Sequence, residues 1–355
     1  MTKRYFLLLW LLSFPFYDTG HDAAAQKNGA RIQVSVVLVQ LNVAVTDNKG
    51  NYISGLRPED FSIVEDKIPE KIATFEEGNE PTRSLIDVPS GQSSAQSAAK
   101  TTEQDTTDQA KAPSPQTDGA NVFILFDTSD YMYRGFVYAQ DSIADFVRSL
   151  EGVSKVALYS YSRDLSRVAT LTPDRSAVLR GIRSTVAGDN AALYNSLLLT
   201  VKDAAQTTGR KAIVVFSNGP DNASLVPPED VAELAQSTGT IIYMISTQQA
   251  EAEPVSTAVF ERMSKASGGK AYFSKSWRDE RQAFTSIRDD LAHLYTLSYY
   301  PQANSNRGWR SITVKLVGKN LQKYHIRTRD GYRILQSAQT SDENLASSRR
   351  PAASQ

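Results

Sequence analysis

The stretch FDTSDYMY, from Phe126 to Tyr133, places an aspartate, a serine and a second aspartate directly after a run of apolar residues. Oxygen atoms of carboxylates, carbonyls and waters are the ligands that Mg²⁺ takes in proteins. An Asp-x-Ser-x-Ser pattern here would supply half of a divalent-cation site, but Tyr131 stands where the second serine would be. The stretch therefore indicates either a metal site or a site that has lost part of its ligand set.

Short, continuous apolar runs recur along the second half of the chain. They are VFILF, VALYSY, IVVF and IIYMI, at residues 122–126, 156–161, 213–216 and 241–245. Continuous runs are typical of parallel strands that are covered on both faces. Stretches with a 3.6-residue apolar period lie between them, and strands that alternate with helices predict a doubly wound, mostly parallel α/β sheet. We expect this domain to cover residues 120–301.

Three polar segments should meet at one edge of this predicted sheet. Asp127 follows the run VFILF, Asn218 follows IVVFS, and the loop AGDNAALYNS at residues 187–196 precedes another helical stretch. Ligands of open α/β sheets bind beyond the carboxyl ends of the strands. The pattern therefore places candidate ligands together before any family is considered.

The remainder of the chain divides by composition. Residues 26–79 alternate between apolar and polar positions and predict an N-terminal β module, and RSITVKLV and KYHIRTR predict a C-terminal β hairpin within residues 302–336. Residues 80–119 predict a disordered linker, since residues 90–119 contain no aromatic or large aliphatic side chain. We expect proteases to cut this linker first and release a folded α/β fragment. Residues 337–355 predict a disordered tail.

The N-terminus predicts export. Two basic residues precede the apolar segment YFLLLWLLSFPF, and Ala23–Ala25 offers a cleavage site, which predicts a signal peptide at residues 1–25. The alternative is an uncleaved membrane anchor, although the segment is shorter than the roughly 20 residues that span a bilayer. We expect a mature protein in the periplasm or outside the cell, with no transmembrane segment after cleavage.

Composition narrows the function further. The 355 residues carry a formal net charge of zero, so a nucleic-acid partner is not predicted. There are no cysteines, which excludes disulfides and thiol chemistry, and the three histidines show no metal-ligand spacing. With no nucleophile beside an activating base, the sequence predicts a protein that is not an enzyme.

Several segments together resemble one family. They are VAVTDNKGNYISGLRPEDFSIVEDKIPEKIATF, NVFILFDTSDYM, ALYNSLLLTVKDA, GRKAIVVFSNGPDN, ASGGKAYF and LAHLYTLSYYP. The chain resembles proteins with a von Willebrand factor A-type domain, specifically the secreted acidobacterial group, over nearly all of its mature length. The resemblance implies a metal-ion-dependent adhesion site, in which two serines and an aspartate of the first loop, a threonine of the second and an aspartate of the third surround Mg²⁺. A carboxylate of the partner often completes this site.

Position by position, the resemblance implies a degenerate site. Asp127 and Ser129 match the pattern. Tyr131 replaces the second serine, and its oxygen at the end of a ring cannot take a seryl oxygen's place. Ala191 stands where the threonine would be, and Asn218 stands where the third loop would have its aspartate. We therefore expect Mg²⁺ to bind weakly or not at all.

Neighbouring acids leave two interpretations open. Asp130, Asp189 and Asp221 lie in the same three loops. They could rebuild a metal site from shifted positions, or they could cap and solvate the loops.

The function predicted from these observations is adhesion or another interaction with a protein or a cell-envelope polymer through the loops. Aromatic residues at a loop apex suit an interface. The residues predicted to contact a partner are Asp130, Tyr131, Tyr133, Asp189 and Asp221. The alternatives are a structural envelope component without a specific ligand, and a metal-dependent adhesin with a rebuilt Mg²⁺ site.

Overall fold

The computed structural model describes residues 38–85, 119–133, 135–217, 219–246 and 254–334. The predicted signal peptide and tail lie outside these ranges, as does most of the predicted linker. None of the helices in the described ranges is both long enough and apolar enough to cross a membrane.

Strands and helices are numbered here along the chain. The strands are β1 (Val39–Thr46), β2 (Phe61–Glu65), β3 (Ile68–Glu70), β4 (Ile72–Glu77), β5 (Arg83–Ser84), β6 (Ala120–Asp127), β7 (Val153–Tyr161), β8 (Leu165–Thr172), β9 (Lys211–Ser217), β10 (Thr240–Ser246), β11 (Ala271–Phe273), β12 (Tyr295–Tyr299), β13 (Trp309–Leu316), β14 (His325–Arg327) and β15 (Gly331–Arg333). The α-helices are α1 (Phe136–Ser149), α2 (Arg175–Ser184), α3 (Leu193–Ala205), α4 (Pro228–Thr238), α5 (Pro254–Ser267) and α6 (Trp277–His293).

The α/β sheet has the strand order β11-β10-β9-β6-β7-β8. All neighbours in it are parallel except β7 and β8. Every residue of β6 and β10 is buried, because helices cover both faces of the sheet. The predicted doubly wound fold, with its continuous apolar strands, is confirmed.

A β-sandwich accompanies this sheet. Its two antiparallel sheets have the orders β14-β1-β12-β4-β5 and β15-β13-β2-β3, and they share one apolar core. Strand β13 alternates strictly between exposed and buried residues, as its sequence predicts. Strand β1 is buried on both faces: Leu41 and Val43 face the sandwich core, whereas Ala44 packs into the core of the α/β sheet.

The C-terminal strands are present, but they do not form the expected hairpin. Strand β13 pairs with β2 and β15, and β14 pairs with β1 in the other sheet. Strand β12, expected to close the α/β domain, instead lies between β1 and β4. Its Tyr295, Leu297 and Tyr299 alternate with polar residues and face the sandwich core, so burial of that face places the strand there. Segments on both sides of the α/β domain in sequence therefore build the sandwich.

A buried carboxylate connects the two parts. Asp290 of α6 is fully buried and accepts hydrogen bonds from the hydroxyls of Tyr52 (2.7 Å) and Tyr243 (2.6 Å) and from the guanidinium of Arg327. Tyr52 and Arg327 belong to the sandwich, whereas Tyr243 belongs to β10. Leu294 is the single residue between α6 and β12.

The sandwich packs near the amino ends of the central strands. Arg210, directly before β9, donates a hydrogen bond to the carbonyl of Gly78 (2.7 Å). Asn42 of β1 donates to the carbonyl of Gly239, directly before β10 (3.4 Å). The candidate site lies at the carboxyl ends of these parallel strands, which is the end of the sheet away from the sandwich.

Because the sandwich includes strands from both sides of the predicted linker, a cut in the linker should not release a separate α/β fragment. We expect limited proteolysis to cut first between Pro89 and Gly119, but the two pieces should stay together, because β12 of the second piece is held between β1 and β4 of the first. Size-exclusion chromatography should show one species of unchanged volume, and a denaturing gel should show two fragments. The same nicked sample in denaturant is the control. Native elution of a separate α/β fragment would contradict the shared sandwich.

Candidate functional site at the carboxyl ends of the α/β sheet

Three loops meet where β6 and β9 end: loop 1 (128–133), loop 2 (185–192) and loop 3 (219–227). Two hydrogen bonds join loops 1 and 2, from the Asp130 amide to the Asp189 carbonyl (2.8 Å) and from the Gly188 amide to the Thr128 carbonyl (2.7 Å). The sequence-predicted convergence of these segments is therefore seen in the structure.

Asp127 forms the base of the site and has no exposed surface. Its Oδ1 accepts a hydrogen bond from the Ser129 amide (2.9 Å), and its Oδ2 accepts one from the Ser217 hydroxyl (2.8 Å). Burial raises the pKa of the Asp127 carboxyl, while these hydrogen bonds act in the opposite direction. Both carboxylate oxygens are thus engaged within the protein.

Tyr161 extends this network. Its hydroxyl donates to the Ser217 hydroxyl (3.0 Å), and the ring is fully buried at the end of β7. Burial raises the pKa of the Tyr161 phenol well above its usual value, so the group stays protonated and remains a donor. Tyr161, Ser217 and Asp127 therefore form a buried chain of hydrogen bonds across three neighbouring strands.

Ser129 is the second residue that matches the metal pattern. It is fully buried, and its hydroxyl has no hydrogen-bond partner among the residues that the structure describes. An oxygen in this condition would suit a metal ligand, because a buried hydroxyl without a partner costs free energy. Its burial also closes it to solvent.

The other two described positions of the metal pattern, Tyr131 and Ala191, are hydrogen-bonded to loop 3. The Asn222 side chain donates to the Tyr131 hydroxyl (3.2 Å) and accepts from the Ala191 amide (2.8 Å). The Tyr131 ring is half-buried against the core, and Ala191 is fully buried. Tyr131 and Ala191 therefore fasten loops 1 and 2 to loop 3, and Ala191 brings no side-chain oxygen.

Asp221 acts as a brace for the backbone. Its carboxylate accepts hydrogen bonds from the amides of Tyr194 (2.9 Å), Ser224 (2.9 Å) and Ala223 (3.3 Å). The first of these caps the start of α3, where helix amides have no partner of their own. The carboxylate is thus committed to holding loop 3 against α3.

Asp130, Asp189 and Tyr133 lie on the outer surface of the loops and are exposed. Asn218 lies outside the described residues, so its place in the site remains a prediction.

Sequence reasoning overlooked three residues that the structure places at this edge. Ser217 directly precedes Asn218, and Tyr161 ends an apolar run. Their positions at the ends of predicted strands could have identified both as residues of the site. Asn222 stands out in the sequence only as the start of a glycosylation-type sequon, Asn-Ala-Ser. Nothing in its local sequence indicates that one side chain holds both Tyr131 and Ala191.

Comparison with known families agrees with this architecture. The family described as von Willebrand factor type A domain matches residues 121–287. This part of the chain is a von Willebrand factor type A domain. No curated protein sequence matches the chain. Membership of the acidobacterial group stays a prediction.

Solved structures with a similar fold include three bacterial proteins. The conserved hypothetical protein BatB from Bacteroides thetaiotaomicron is 16% identical over 49% of this chain and 97% of its own, with a TM-score of 0.42. The vWF domain of the type V pili tip protein Mfa5 from Porphyromonas gingivalis is 14% identical over 48% and 94%, with a TM-score of 0.42. A von Willebrand factor type A protein from Catenulispora acidiphila is 12% identical over 57% and 63%, also with a TM-score of 0.42.

The donor set of this von Willebrand domain fits a divalent cation poorly. Asp127 and Ser129 keep their oxygens but are buried, whereas Tyr131 bonds to loop 3 and Ala191 has no side-chain oxygen. Within the described ranges, no group of three or more His, Cys, Asp or Glu side chains is arranged to hold a metal ion. Mg²⁺ favours near-octahedral oxygen ligation, which these residues do not supply.

Large apolar side chains are exposed on the loops of the domain. The five most exposed large hydrophobic side chains among the described residues all lie on loops 1 to 3 or in the first turn of α1, which follows loop 1. They are Leu225, Val186, Tyr133, Tyr138 and Val137, with exposed fractions from 62% to 92%. Exposed apolar side chains form an interaction surface where they are contiguous.

The bracing role of Asp221 can be tested by substitution. Asp221→Ala should lower the free energy of unfolding by about 0.5–2 kcal/mol, because the amide of Tyr194 loses its cap. Asp189→Ala is the matched control, since this aspartate is exposed and should change stability by less than about 0.5 kcal/mol. Urea denaturation of the three proteins measures both effects. Equal stability of Asp221→Ala and the parent would show that Asp221 does not stabilise the fold.

Proposed function

We propose that this chain is an exported, non-enzymatic interaction protein that binds a partner through loops 1 to 3 of its von Willebrand domain, without a metal ion. The partner is a protein or a cell-envelope polymer. The observation that carries the proposal is the group of exposed apolar side chains on these loops, which includes Tyr133 and Leu225.

The energetics of this surface support a binding role. Burying a large apolar side chain fully contributes about 1.5–3 kcal/mol, so burial of Tyr133 and Leu225 would offset part of the free-energy cost of association. The loops are joined by backbone hydrogen bonds, so little ordering is needed when a partner binds. Apolar and aromatic groups of this kind favour a protein partner over a polar polymer.

The geometry of the site supports a binding role that needs neither a metal ion nor catalysis. Asp127 is closed to solvent, and its two oxygens are occupied by Ser129 and Ser217. A carboxylate in this state neither meets a substrate nor bridges to a partner. Export rests on the predicted signal peptide, which lies outside the described residues.

The metal part of the proposal predicts a melting temperature that is the same in EDTA and in millimolar Mg²⁺. A ligand stabilises the native state by RT ln(1 + [L]/Kd), so a site with a very weak affinity gives roughly no shift. The variant Tyr131→Ser, Ala191→Thr, Asn218→Asp restores the family's ligand set and should gain a shift. Because Ala191 is fully buried, the comparison is made between EDTA and Mg²⁺ within each protein rather than between proteins. A rise of several degrees for the unmodified protein would mean that neighbouring aspartates bind the ion.

The binding part predicts that loop substitutions remove partner capture without unfolding the protein. Tyr133→Ser and Leu225→Ser should each reduce recovery of a specific partner from an envelope extract by about tenfold, which corresponds to about 1.4 kcal/mol. Tyr131 is unsuitable because its ring packs against the core. Val317→Ser, an exposed position just after β13, is the matched control and should capture normally. Unchanged capture by both folded loop variants would favour a structural envelope component, and capture of a polysaccharide would identify a polymer partner.

A further inference from the structure

Among the described residues, β11 is an edge strand of the α/β sheet. Strand β11 pairs with β10 alone. Lys270 and Ser274 bond to β10, through the Lys270 carbonyl (3.1 Å) and the Ser274 amide (2.8 Å). Since successive residues of a strand direct their backbone groups to opposite sides, Ala271 and Phe273 point away from β10. Their amides and carbonyls have no hydrogen-bond partner among the described residues.

A groove runs beside this edge. It has a volume of about 490 Å³ and lies between β11 and α6. Its wall on α6 includes Asp279, Gln282 and Ser286, which are spaced by three and four residues and so form one stripe of the helix. Its wall on the sheet includes Tyr272 and Ser274, which lie on the same face as α6.

Two hydroxyls in this groove lack partners. The Ser274 side chain is 2% exposed, and neither its Oγ nor the Oη of Tyr272 has a hydrogen-bond partner in the described part of the chain. A buried polar atom without a partner costs roughly 1–3 kcal/mol. The groove therefore holds hydrogen-bonding capacity that the described residues do not use.

We propose that this edge binds an extended polypeptide segment of another protein, which adds to the sheet beside β11. The backbone of such a segment would pair with Ala271 and Phe273, and one of its polar side chains would enter the groove and bond to the Ser274 hydroxyl. The free groups on β11 recur every second residue, about 6.6 Å apart, which is the repeat of another strand. Polysaccharides lack this regular alternation of amide donors and carbonyl acceptors. The site is separate from loops 1 to 3 and does not depend on the function proposed for them.

The test uses a soluble hexapeptide of alternating threonine and valine, and a second hexapeptide with alternate amides N-methylated. Amide exchange measured by NMR reports on each residue of the whole protein. With peptide at ten times its Kd, exchange at Ala271 and Phe273 should slow by about tenfold, whereas Tyr272, which already pairs with β10, should not change. The N-methylated peptide should give no protection, because it keeps the composition but loses the backbone donors. Absence of protection at millimolar peptide, or equal protection by both peptides, would overturn the proposal.

Substitution tests the groove separately. Ser274→Ala should not lower the melting temperature, because its buried hydroxyl has no partner among the described residues and costs free energy there, and should weaken peptide binding about tenfold. Ser264→Ala is the matched control: this serine of α5 is equally buried and equally without a partner among the described residues, but it does not line the groove. It should bind the peptide as the parent does. Equal affinity of the parent and Ser274→Ala would overturn the assignment of the groove as the side-chain subsite.

Discussion

The buried carboxylate of Asp290 is the interaction on which the arrangement of this molecule depends. It lies on α6 with no exposure to solvent and receives hydrogen bonds from the sandwich, through Tyr52 and Arg327, and from β10, through Tyr243. Removing one partner of a buried ion pair typically costs roughly 3–5 kcal/mol, because the other charge is left without compensation. Only Leu294 separates α6 from β12, so the same helix also positions the central strand of a sandwich sheet.

This connection explains why the α/β domain lies within the sandwich in sequence. The strands before residue 85 and those after residue 294 complete one another's hydrogen bonds and share one apolar core. A strand such as β1 can be buried on both faces only when the α/β sheet covers its second face. Because the sandwich packs near the amino ends of β9 and β10, loops 1 to 3 at the other end of the sheet are left to face solvent.

Side-chain hydrogen bonds hold together the site at the carboxyl ends of the α/β sheet. Asp127 holds Ser129 and Ser217, while Asn222 joins the Tyr131 hydroxyl to the backbone of Ala191. These hydrogen bonds hold the three loops together. Rigid loops with exposed apolar side chains are suited to binding, since a partner loses little free energy in ordering them.

The sequence by itself determined the α/β class, because continuous apolar runs indicate buried strands without reference to distant residues. It also determined the convergence of the three loops, because the positions directly after those runs mark the carboxyl ends of the strands. It also identified Asp127 and Ser129 as matches to one family's pattern, and Tyr131 and Ala191 as departures from it. Only the tertiary structure decided that β13 and β14 belong to different sheets and that β12 joins the sandwich, because an alternating strand records which face is buried and not which neighbour buries it. The role of Asn222 was decided in the same way, since its partners are about 30 and 90 residues away and meet it only after the sheet has formed.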